Sequence, residues 1–397
     1  MAMDKTVRDS TRLAYVFTTG FLPWHFQRGQ NDFLRQNGFE LHLIAAPDEY
    51  LEKTCRRDRM SAHPVDIPRA PAPWRDLKAL QRIAAVFREI RPDIVHAGTP
   101  KGALLGLLAA RIAGIPTRFF ACHGTITARR RSPGHLFYRC MEGLCARLAH
   151  RVWCVSPSLL SYMESQDMIP PGRGVVFGHG SANGISPAWL DDPALSVPER
   201  LAELEREKAS GDFPVIGFVG RLCRQKGVEV LARAWPDIRR RFPRARLLLA
   251  GRWEQQDAVS GDVRRLLEGD AAVIVLGMME QGVLGRCYRL MDVQVMPSLG
   301  AEGFGNVALE GALFGVPVVA TRIVGSVDAV LDGTTGTVIP SGDAGALAEA
   351  VVYYFENPEQ AAKRGLAARE RAARDFRPEA VWRPMLEEYR CLLQREM

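Results

Sequence analysis

Two carboxylates eight positions apart, Glu302 and Glu310, bracket the run EGFGNVALE. Gly303 and Gly305 leave the backbone around them uncovered, and Asn306 is placed to cap a helix that starts there. Free amides at a helix N-terminus suit a phosphate. A carboxylate beside such a cradle repels a phosphate, so it needs another partner. Sugar or ribose hydroxyls, which donate hydrogen bonds to a carboxylate, are such a partner. The plain alternative is a solvated loop glutamate and a glutamate on a helix surface; the pair together with the glycines favours a ligand.

A second run, GRLCRQKG at residues 220–227, follows the apolar stretch PVIGFV and precedes a helical pattern. Gly220 begins it, and Arg221 and Lys226 are its cations. A pyrophosphate leaving group gains charge as its bond breaks, and fixed cations stabilise that charge. The run is not a P-loop, because GxxxxGK[ST] is absent. His123 sits at the end of the strand-like stretch TRFFAC, directly after Cys122, and is followed by Gly124 and Thr125. A histidine at a strand's carboxyl end is placed to hydrogen-bond a ligand; a packed loop residue is the alternative.

Other cations cluster in the first half. Arg129, Arg130 and Arg131 precede a helical pattern over residues 135–150 in which Leu136, Phe137, Met141, Leu144, Cys145 and Leu148 alternate with Arg139 and Arg147. Such a helix fits an anionic membrane surface or an ordinary core. Lys101 lies in TPKG between a strand and a helix, where it could meet an acceptor phosphate. Gly20 begins a loop expected over residues 20–29. No Asp-x-Asp occurs, so no carboxylate pair for a metal on a pyrophosphate is expected, and cysteine spacing supports no zinc site.

These residues need strand ends to hold them, and the pattern supplies strands. Short apolar runs at residues 12–19, 39–45, 93–96, 117–122 and 151–155 alternate with helical stripes, as in βαβ units with a parallel sheet. Residues 65–67 and 175–178 read as further strands. A polar, proline-bracketed stretch at 191–212 reads as a linker with one short helix. A second series follows, with strands at 214–219, 246–250, 273–276, 293–296 and 316–320. A final helix over 376–396 is expected to break at Pro378 and Pro384. The architecture is α/β: two doubly wound domains facing a central cleft.

The chain has 397 residues and a formal net charge of +7, with a basic first half and a slightly acidic second half. The basic half points to an anionic partner. No apolar run is long enough to span a membrane, and the start lacks the apolar core of a signal peptide. The eight cysteines fit buried free thiols, and a cytoplasmic protein is expected.

Taken together, Glu302-x7-Glu310, FVGRLCRQKG, SANGIS at 181–186, VSPS at 155–158 and GVPVVAT at 315–321 resemble the retaining glycosyltransferases of family 4, of GT-B architecture, over nearly the whole chain. The bacterial surface-polysaccharide branch is the most similar. The resemblance implies that Glu302 binds donor-sugar hydroxyls, Glu310 the ribose, and Arg221 and Lys226 the diphosphate. Gly220, Arg252 and the amides of Gly303, Phe304, Gly305 and Asn306 would complete donor binding, with the base near the loop after Leu276. His123 would contact the donor sugar. Gly20, Lys101, Arg129, Arg130 and Arg131 would serve the acceptor and membrane side. It further implies residues 1–190 with 377–397 as acceptor domain, 213–376 as donor domain, and a C-terminal helix crossing back. The expected partners are a nucleotide sugar, a lipid-linked glycan and the cytoplasmic membrane face, with no nucleic acid, no metal and no cofactor. Glu310 is followed by Gly311, where relatives commonly have alanine. A nucleotide-sugar 2-epimerase of the same fold and a non-enzymatic protein binding anionic surfaces are the alternatives.

Overall fold

The computed structural model describes residues 10–128 and 134–395. The chain forms two units, Met1–Asn183 with Pro378–Met397, and Gly184–Arg377.

The first unit holds β1 (Thr11–Val16), β2 (Phe39–Ala45), β3 (Ser61–Pro64), β4 (Ile94–Gly98), β5 (Thr117–Cys122), β6 (Arg151–Cys154) and β7 (Gly174–Val175). They pair in parallel in the order β3-β2-β1-β4-β5-β6-β7. The inner strands are buried apolar runs, as a sheet covered by helices on both faces requires. The order reverses between β1 and β4, so the loops after those two strands diverge and leave a crevice at their carboxyl ends.

The second unit holds β8 (Val215–Val219), β9 (Arg246–Ala250), β10 (Val273–Gly277), β11 (Val293–Met296), β12 (Val318–Thr321) and β13 (Gly336–Ile339). Their order is β10-β9-β8-β11-β12-β13, with the reversal between β8 and β11. One face packs Trp235, Ile238, Leu347 and Val351 against the sheet, and the other packs Leu201, Leu204, Tyr288 and Val316.

The structure departs from the sequence reading in several places. The stretch read as a linker carries the helix Glu199–Ser210, whose Leu201 and Leu204 are buried in the second unit's core. Residues 21–26 form a short helix where a loop is expected, and β3 lies at Ser61–Pro64 instead of residues 65–67. Helix Glu49–Asp58, capped by the Asp48 carboxylate on the Leu51 N–H at 2.8 Å, was not expected. Neither was Pro157–Ser165, capped by Ser156.

The C-terminal helix Pro378–Arg395 belongs to the first unit and runs unbroken through Pro384. A proline leaves the carbonyl four residues back without its donor. That carbonyl, of Ala380, lies against Gly178, where a Cβ would crowd it. Tyr389 from this helix forms a short hydrogen bond with Nδ1 of His96 on β4, and the Trp382 indole donates to Asn183 Oδ1 at 2.7 Å.

Candidate functional site

In the second unit the loops at the reversal are joined by their backbones. Gly220 N–H donates to Ala250 O at 2.9 Å and Leu222 N–H to Arg252 O at 2.8 Å. Leu299 N–H donates to Gln225 O at 2.8 Å. A Cβ on Gly251 would overlap the Gly220 carbonyl, and one on Gly227 the Pro297 carbonyl. Glycine at both positions is therefore what lets the loops after β8, β9 and β11 touch.

This fusion brings Lys226 onto Glu302. The ammonium lies 2.6 and 2.8 Å from the two carboxylate oxygens, and Ser298 Oγ donates to Oε1 at 2.6 Å. Glu302 is 9% exposed, and its N–H is held by Val324 O at 2.9 Å. A cation across both oxygens of a nearly buried carboxylate fixes its charge and its rotamer. Gly305, at φ +89°, caps the helix Asn306–Leu313, and Asn306 is its first residue, not its cap. Gly305 has no side chain with which to cap the first turn, and the Ala308 N–H donates back to Gly305 O at 2.9 Å. Phe304 is buried against Phe376, ring centroids 5.2 Å apart, so it contributes its backbone and not its ring.

Glu310 lies one turn into that helix. Tyr288 donates its phenol to Oε2 at 2.7 Å, and burial pushes the carboxyl up to about 7. Arg221 sits nearly half exposed, 3.4 Å from Glu254. Arg252 is exposed beside it. Gly220 keeps a positive φ at the strand end, and Met278, in the loop after β10, is exposed.

In the first unit His123 follows β5. Its ring packs 5.5 Å from Trp153 and 6.5 Å from Phe17, and its Nε2 has no partner among the described residues. Burial pushes its pKa down to about 4, so the imidazole is neutral at pH 7. At the reversal itself, Thr99 adopts φ +61°, rare for a β-branched residue. Its Oγ1 accepts from the Thr18 N–H at 3.0 Å. Lys101 is already engaged: it pairs with Asp76 and donates to Ala70 O at 2.6 Å. Gly20 serves packing, because its N–H meets Asp48 at 3.2 Å and a Cβ would overlap the backbone of Leu51. Arg129, Arg130 and Arg131 lie outside the described residues.

The helix His135–Leu148 turns Met141, Glu142 and Cys145 inward, where Glu142 accepts from Thr125 and Thr127. Leu136, Phe137 and Leu144 are exposed, with Cys140 and Arg147 on the same side. Among the described residues no helix is long and apolar enough to cross a membrane, and no three side chains gather as metal ligands.

The sequence reading missed three partners: Ser298, Tyr288 and Glu254. Ser298 carries a signal in its spacing to Glu302. Tyr288 carries none, because it reads as one apolar position of a buried helix.

Known proteins agree with this arrangement. Residues 33–180 match the glycosyl transferase 4-like domain, and residues 213–357 match glycosyl transferases group 1. The capsular polysaccharide biosynthesis glycosyltransferase CapM of Staphylococcus aureus is 28% identical over 92% of this chain and 94% of its own. Sucrose-phosphate synthase from Thermosynechococcus elongatus superposes with a TM-score of 0.79 at 21% identity, covering 97% of this chain and 100% of that one. Anabaena HepE, solved in complex with UDP and glucose, gives 0.75 at 18% identity, covering 96% and 100%. Two reversed parallel sheets, a Glu-x7-Glu loop at the second reversal and these matches show that the chain belongs to the family 4-like glycosyltransferases of GT-B architecture.

Proposed function

We propose that the chain transfers a sugar, an N-acetylhexosamine in the first instance, from a UDP-sugar to a lipid-linked or lipopolysaccharide glycan, with retention and without a metal. The observation that carries this reading is the Lys226–Glu302 pair at the β8/β11 reversal, eight positions before Glu310 in the chain. CapM, by its name a capsular polysaccharide enzyme, and HepE, solved with UDP and glucose, support the substrate class.

In this reading Glu302 accepts from donor-sugar hydroxyls while Lys226 holds it ionised. Glu310 accepts from the ribose. The bond from the anomeric carbon to the diphosphate oxygen breaks, and Arg221 and Lys226 meet the charge that develops on the leaving group. The acceptor hydroxyl attacks from the leaving-group face, and its proton passes to the departing diphosphate oxygen. His123 donates or accepts one hydrogen bond at the donor sugar as a neutral ring. The exposed Leu136, Phe137 and Leu144 enter the headgroup region of an anionic bilayer, which the basic first half attracts.

A donor screen tests this. UDP-sugars are expected to raise the melting temperature, and GDP- and ADP-sugars to do so less. Indifference to all three classes would sink the nucleotide-sugar reading. Release of UDP from labelled donor without any glycan acceptor would instead favour an epimerase.

A further inference from the structure

The helix Asn306–Leu313 has a polar back as well as a ligand-facing front. Tyr288 is fully buried, stacks on Phe314 with centroids 5.8 Å apart, and spends its phenol on Glu310 Oε2 at 2.7 Å. Gln294, in the middle of β11 and also fully buried, donates from Nε2 to Val307 O at 2.9 Å. Gln294 reaches the helix because residue 311 is glycine. A Cβ there would overlap Gln294 Oε1, while it would make only ordinary contact with the Tyr288 ring at 3.5 Å. The other carboxylate oxygen, Glu310 Oε1, accepts from no described residue, and Glu310 retains 9% exposure.

We propose that Tyr288 is a positioning residue for nucleotide recognition: its phenol fixes one oxygen of Glu310 and turns the other toward the ribose hydroxyls. This rests on the reading of Glu310 as the ribose partner. The phenol is suited to it, because burial and the neighbouring carboxylate raise its pKa well above the usual tyrosine value. It therefore stays a donor throughout the working range. The hydrogen bond favours the ionised carboxylate against the burial that pushes Glu310 up to about 7. The neighbouring charges are committed elsewhere. Arg286 pairs with Glu205, Arg289 with Asp191, and Arg371 donates to the carbonyls of Asp328 and Ala329. Burial also pushes the Cys287 thiol up to about 12, so it stays neutral. Binding of the ribose hydroxyls then needs Glu310 ionised, and affinity falls as pH drops through its pKa.

The test is UDP binding by the whole protein across pH 5.5 to 8.5, for wild type, Tyr288→Phe and Glu310→Gln, with GDP and ADP as controls. Tyr288→Phe keeps the ring and its stacking. Its affinity at pH 7 is expected to fall on the order of tenfold, and the midpoint of its pH dependence to rise by about one unit. Circular dichroism at each pH gives the folded fraction to which binding is normalised, so a loss of stability cannot mimic the shift. An unmoved midpoint in Tyr288→Phe, with binding weakened in Glu310→Gln, overturns the role of Tyr288 and leaves the ribose reading intact. Wild-type binding by Glu310→Gln, or no binding of any of the three nucleotides by wild type, overturns both.

Discussion

The two sheets reverse their order in the same way, yet they furnish their crevices differently. At the β8/β11 reversal, charge is gathered and held ready: Lys226 spans Glu302, Ser298 supports it, and Glu310 waits behind. At the β1/β4 reversal, charge is spent internally. Lys101 is tied to Asp76, and Gly20 to Asp48. What remains there is a strained threonine, Thr99, and nearby His123, a neutral ring among aromatic neighbours. In the proposed function the second unit fixes the ionic part of the donor. The first offers a hydrogen bond from a neutral ring in a less polar setting.

Substitutions at the charged reversal should separate the two most sharply. Glu302→Gln is expected to lower kcat on the order of a thousandfold, because the Lys226 charge loses its partner and the sugar keeps only a neutral amide acceptor in place of a carboxylate. Steady-state transfer assays check this; a loss under tenfold would break the comparison. His123→Ala should cost about ten- to a hundredfold in kcat with nucleotide affinity unchanged, since only a neutral hydrogen bond is removed. Calorimetry with UDP beside the transfer assay separates these effects.

Stability reads the same contrast without ligand. Glu310 has its pKa raised from 4.5 to about 7 in the folded chain. Folding then takes up a proton between those values, so its contribution to stability is lost as pH rises from about 4.5 through 7. Wild type should lose up to a few kcal/mol relative to Glu310→Gln over that window, as urea titrations at several pH values would report. Gly311→Ala should cost about 1–3 kcal/mol by forcing Gln294 aside, and Gln294→Val in the same chain should recover most of it. Lys101→Met is the smallest case. It should lower stability by about 1 kcal/mol and leave the acceptor KM within twofold, since Lys101 is held by Asp76 and Ala70.

The same contrast explains what the sequence could disclose. Glu302, Glu310 and Lys226 stand close to glycines at strand ends, and strand ends are legible from apolar runs of fixed length. The order of strands is not, because it depends on which helices cover which face; the reversal at β8/β11 emerged only from the pairing. Lys101 looked available because its partner Asp76 comes from a helix twenty-five residues earlier, and no local pattern links them. Gly311, where relatives commonly have alanine, is a match to Gln294, a buried polar residue in a strand that otherwise reads as apolar. The segment 191–212 misled through composition: Leu201 and Leu204 dock it with Leu195 and Val197 packed alongside, and its Asp191 and Glu205 pair with Arg289 and Arg286.

The placement of Tyr389 also has a consequence for biosynthesis. The second unit is one unbroken stretch, so all its strands have left the ribosome once Arg377 has emerged. The first cannot finish, although it is made earlier, because Trp382 and Tyr389 follow the whole of the second unit in the sequence. Until then the sheet around His96 and Phe119 lacks its cover, and the nascent first unit is exposed to chaperones and proteases. A premature stop near the C-terminus would therefore strike the half of the protein that was synthesised first.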